Sequence, residues 1–245
     1  MLGTEATSIG PPAATGVSAV AGVFHDRVAP CGREPLRRLE ALVGEKLANV
    51  YGLADATADQ FPAKLDVVVR GVLSARRYRS RIVDASAREE VQAVLRAARA
   101  GYLGSADLPE IADRLAGAPQ EIRLDVAGEL LHGAAPDRVA LLARWVWNPS
   151  RRTGVLGEFG PSTFDSYAEA QARLGEVRLE LGALGFPCAT FAGVDVVLAL
   201  AYAARLQKAT DDRLRSGGLE SLLPGPFPLA TMILGVRRRF THADR

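Results

Sequence analysis

Glu129-Leu130-Leu131-His132 has the Glu-x-x-His spacing that sets two ligating or proton-transferring side chains on one helix face. Asp125 stands one turn earlier on the same face. Such a trio could hold a metal ion or move a proton. A di-iron bundle needs a second Glu-x-x-His pair and further carboxylates. Neither His25 nor His242 has a glutamate three residues before it. A mononuclear site of Asp125, Glu129 and His132 competes with a plainer reading, a histidine near a helix C-terminus bonded to carbonyls. No metal is assigned and no cofactor is implied. Asp195, just inside the apolar run from Val194 to Leu206, reads as a buried catalytic carboxylate or as the acid of a first helical turn.

Cations form the second set. Every basic residue except Lys46, Lys64 and Lys208 is an arginine, and guanidinium is the better group for bidentate contact with phosphate. Arg70, Arg76, Arg77, Arg79 and Arg81 surround Tyr78; Arg144, Arg151 and Arg152 flank Trp145 and Trp147; Arg237, Arg238 and Arg239 form a third cluster. Arginines beside aromatics can neutralise phosphates and stack on bases. The competing reading is a solvated helix edge whose long stems cover apolar neighbours.

The leading expectation is a helical nucleic-acid-binding protein with these clusters on one surface. The alternative is an enzyme for a small anionic substrate, clamped by Arg151 and Arg152, with Asp125, Glu129 or His132 transferring the proton. A protein-interaction scaffold is the third. No G-x-S-x-G elbow, Walker loop or G-x-G-x-x-G motif follows a strand. Cys188, in a short loop after Pro187, reads as a small buried thiol rather than a nucleophile.

The bulk properties fit a globular protein. The net charge is +2 over 245 residues, which permits an acidic partner without demanding one. No run of about 18 apolar residues is present, so no membrane partner is expected. Cys31 and Cys188 lack C-x-x-C spacing, consistent with a reducing cytoplasm. Oligomeric state is open.

Residues 1–30 read as a flexible leader rich in Gly, Ala, Thr and Pro, without Lys or Arg before residue 27. An N-terminal helical region 31–155 and a C-terminal one 156–245 follow, or a single domain 31–245. Helical periodicity dominates, so the fold class is all-α: an irregular bundle of eight or nine helices with room for one small β element.

Leu36, Leu39, Val43, Leu47 and Val50 mark one helix. Residues 66–73 fit a buried strand or a helix start. Ser86…Glu89 and Ser166…Glu169 have capping-box spacing, and Glu169 with Arg173 forms an i,i+4 pair. Pro136 should open a helix ending at Trp147, and a last helix should span 229–240. Leu222-Leu223-Pro224-Gly225 partly resembles the turn of helix-hairpin-helix DNA-binding modules. Phe227 replaces that turn's second glycine, however, and Pro226 and Pro228 remove two N–H donors. The segment therefore reads as a proline-rich turn between helices.

Overall fold

The computed structural model describes residues 18–160, 164–216 and 225–236. They form α1 (Ala19–Val23), α2 (Arg33–Leu53), α3 (Phe61–Gly71), α4 (Arg79–Ala85), α5 (Arg88–Ala100), α6 (Leu108–Arg114), α7 (Gln120–Ala134), α8 (Tyr167–Ala183), α9 (Phe191–Ser216) and α10 (Pro226–Ile233). Short 3-10 turns and one π-helical turn, Phe24–Val28, join them. The fold is all-α. The one β feature among the described residues is a bridge between Asn148 and Thr153. A continuous apolar core runs from Val20 to Val236.

Two helices organise the core. α7 packs on α2, α5 and α6, and α9 packs on α2, α8 and α10. The stripe expected on α2 is buried, including Leu39, Val43, Leu47 and Val50. α7 approaches α2 so closely at Gly133 that a Cβ there would sit 2.3 Å from Val50 Cβ. Glycine is the residue that permits this crossing.

Several expectations are corrected. The chain is helical from Ala19, with Val20, Phe24 and Val28 buried, so the leader does not extend to residue 30. Residues 66–71 belong to α3, where the run Val67-Val68-Val69 continues the helix. Ser86 does not cap α5. It terminates α4 by donating its N–H to Ile82, its hydroxyl has no hydrogen-bond partner, and Glu89 binds Arg88 instead. The second box forms by half. Ser166 Oγ accepts the Glu169 N–H, but Glu169 Oε2 accepts from the Asp165 N–H. Arg173 turns away from Glu169 to Glu176, Glu180 and the Phe159 carbonyl.

The largest departure lies between Pro136 and Trp147, where no helix forms. Residues 139–143 are buried along their whole length; turn bonds from the Val139 N–H to Ala135 and from the Val146 and Trp147 N–H groups to Ala143 meet some backbone groups of the segment, and side chains meet others. Gln171 receives the Ala140 N–H and donates to the Arg138 carbonyl. His132 binds the Val139 carbonyl, and Asp125 receives the Arg144 N–H.

α10 begins at Pro226 and stops at Ile233, earlier than expected at both ends. Gly235 turns the chain at φ 68°, and a Cβ there would lie 1.6 Å from the Gly71 carbonyl oxygen. Only glycine fits both demands. Residues 217–224 and 237–245, including Arg237, Arg238 and Arg239, lie outside the described residues.

Candidate functional site

Helical spacing places Asp125, Glu129 and His132 on one side of α7, and all three are buried. A buried ionised group is costly unless partnered, and each of these finds a different partner. Asp125 Oδ1 accepts the Arg144 N–H at 2.9 Å, and Oδ2 accepts Arg144 Nε at 2.9 Å and the Ser74 hydroxyl at 2.6 Å. Arg144 reaches on to Glu121 at 2.9 Å. Glu129 pairs with Lys46 at 2.8 Å, and the same ammonium donates to the Leu234 carbonyl at 2.7 Å.

His132 Nδ1 lies 2.6 Å from the Val139 carbonyl oxygen, and Nε2 lies 2.7 Å from Asp195 Oδ2. The second contact is an ion pair off the line of a hydrogen bond, and Asp195 Oδ1 has no partner. Burial alone would lower the His132 pKa. Asp195, the Val139 carbonyl and Glu129 outweigh it and hold the pKa above the ordinary value. Asp195 is therefore not a first-turn acid. It sits deeper in α9, which starts at Phe191, and its carboxylate faces the buried His132 ring at 2.7 Å.

The trio thus shares a helix face without converging on one point. Among the described residues no group of three His, Cys, Asp or Glu side chains could hold a metal ion. Cys31 and Cys188 are free thiols. Burial, with Glu40 adding to it, pushes Cys188 up to about 12, where it is a poor nucleophile.

Asp125 and Glu129 border a cavity of about 330 Å³ between α7, α9 and α10. Ser74 and Arg144 join them at its polar side, and Trp145 and Tyr202 form an aromatic wall with ring centroids 5.9 Å apart. The remaining lining is mainly aliphatic, with Leu141, Leu206 and Ile233 prominent. An apolar chamber with a few convergent polar groups is the usual form of a small-molecule site.

The arginine clusters are largely spent locally. Arg70 and Arg79 both pair with Asp66, Arg144 with Asp125 and Glu121, and Arg152 lies 3.8 Å from Asp165. Arg76, Arg77, Arg81 and Arg151 are exposed and have no carboxylate partner among the described residues. Arg151 and Arg152 sit on the turn closed by the Asn148–Thr153 bridge and do not line the cavity. Trp147 is 3% exposed and packed edge-on against Phe164 and Tyr167. Its ring is core packing, not a stacking surface.

The sequence reading missed Lys46, Ser74 and Tyr202. Lys46 had a signal, because it falls between Val43 and Val50 on the apolar face of α2, in a chain that otherwise uses arginine. Ser74 had none. Comparison with family models, with curated proteins and with solved structures finds no match to this chain.

Proposed function

We propose that the protein binds a small organic molecule in the cavity between α7, α9 and α10, its polar group turned toward Glu129. One contrast carries this reading. Asp125 is saturated by Arg144 and Ser74, whereas Glu129, also on the cavity wall, has Lys46 as its one ion-pair partner among the described residues. A carboxylate 4% exposed on the wall of a mostly apolar chamber is an arrangement that structural needs alone do not call for. Where chemistry follows binding, Glu129 is the group placed to exchange a proton with the ligand.

Anilinonaphthalene sulfonate, which brightens in apolar sites, provides the test. Saturable one-site binding to the folded protein is expected. Ala143→Leu and Leu206→Trp, which place bulk in the cavity, should each weaken it at least about tenfold, roughly 1.4 kcal/mol. Unchanged binding in both variants removes the cavity from consideration.

Nucleic-acid binding stands as a second reading, favoured by one observation. Arg76, Arg77 and Arg81 lie within one short segment, exposed and without a carboxylate partner among the described residues. Its test is the salt dependence of duplex DNA binding, which scales with the phosphates neutralised. A triple alanine variant of these arginines should flatten that slope. An unchanged slope sets the reading aside.

A further inference from the structure

We infer that the ligand also carries an anionic head: its mainly apolar body, with the polar group that faces Glu129, fills the cavity, and the charged head lies against Arg76 and Arg77 in the groove alongside. This rests on the cavity being a ligand site and adds the class of molecule it takes.

A groove of about 490 Å³ adjoins the cavity, and the two share Leu73, Ser74 and Arg144 as lining. Arg76 and Arg77 line the groove only. The 3-10 turn Leu73–Tyr78 explains the placement. With three residues per turn, side chains at i and i+3 eclipse, so Arg76 follows above Leu73 and Arg77 above Ser74. Arg76 and Arg77 thus follow one turn after two residues of the shared wall, and both line the groove.

Charge accounting separates the two chambers. Inside the cavity each carboxylate already has its cation, Asp125 with Arg144 and Glu129 with Lys46. An anionic head there would meet no unmatched positive charge and would lose its hydration. Arg144 divides its guanidinium between Asp125 and Glu121, which makes it a wall and not a clamp. In the groove, Arg76 spends Nε on the Arg70 carbonyl, and Arg77 lies 4.8 Å from the Tyr78 ring centroid. Glu121 also lines the groove, but it is paired with Arg144; neither Arg76 nor Arg77 has a carboxylate partner among the described residues, so both remain open to charge-assisted bonds with a sulfate, phosphate or carboxylate. Leu73, 46% exposed at the junction, offers the apolar step between the head and body sites.

Decyl sulfate, decanol and decyltrimethylammonium, titrated calorimetrically below their micelle concentrations, separate the possibilities. Decyl sulfate should bind at least about tenfold tighter than decanol, the order expected of one charge-assisted contact. The Arg76→Ala/Arg77→Ala variant should bring decyl sulfate to the affinity of decanol while leaving decanol unchanged. Equal affinities for all three, or a sulfate preference that survives the double substitution, overturns the anionic head while leaving the cavity reading intact. Binding by none of the three overturns both.

Discussion

Arg144 holds Asp125 twice, through its backbone N–H at 2.9 Å to Oδ1 and through Nε at 2.9 Å to Oδ2. One residue thereby fixes both oxygens of a buried acid and anchors the irregular segment that crosses in front of α7. The same contact makes one wall of the cavity. The stability of the segment and the shape of the cavity are therefore linked at this pair.

Asp125→Ala should destabilise the protein by about 3 kcal/mol, the range seen when one partner of a buried ion pair is removed. Three donors, the Arg144 N–H, its guanidinium and the Ser74 hydroxyl, lose their acceptor together. Urea unfolding measures this. A loss below about 1 kcal/mol, the scale of an exposed pair, would show that Arg144 gains nothing from the contact.

The His132–Asp195 pair predicts a pH signature. Desolvation would lower the His132 pKa, yet the neighbouring Asp195, Val139 carbonyl and Glu129 raise it above the ordinary value. An unfolded histidine titrates near about 6.5. The folded state therefore holds its proton to higher pH, and the stabilisation is complete below that point and drains as pH rises through the folded value. Unfolding free energies from about pH 6 to about pH 9 should converge on those of a His132→Gln/Asp195→Asn variant. A gap constant across the range would mean that the ring is neutral in the folded protein.

Gly133→Ala should cost about 1–3 kcal/mol through overpacking, because the new methyl collides with Val50. Adding Val50→Ala should recover part of that loss, a positive coupling in the double-mutant cycle. Strict additivity would place the two positions apart.

The helical content was legible because amphipathic stripes survive folding: the spacing of Leu36, Leu39, Val43, Leu47 and Val50 marks the residues that α2 buries. Asp125, Glu129 and His132 were legible as one helix face for the same reason. Their partners were not. Lys46, Arg144 and Asp195 reach them from distant segments, and no local pattern encodes a tertiary ion pair. The stretch from Pro136 to Trp147 misled because its apolar residues fit a helix equally well. What sets it apart is that Gln171, His132 and Asp125 take up backbone groups that a helix would pair internally. The arginines were visible in number, but which of them carry a local acid emerges only in three dimensions.

Trp145 lines the cavity, whereas Trp147 is packed away from it. In a Trp147→Phe variant, Trp145 is the sole tryptophan, and energy transfer from it to anilinonaphthalene sulfonate reports occupancy of the chamber directly. Saturable transfer is predicted, with the same midpoint as the probe's own emission, and with that midpoint moved at least about tenfold higher by Ala143→Leu. Probe emission that rises while Trp145 stays unquenched would place binding elsewhere and contradict the cavity as the site.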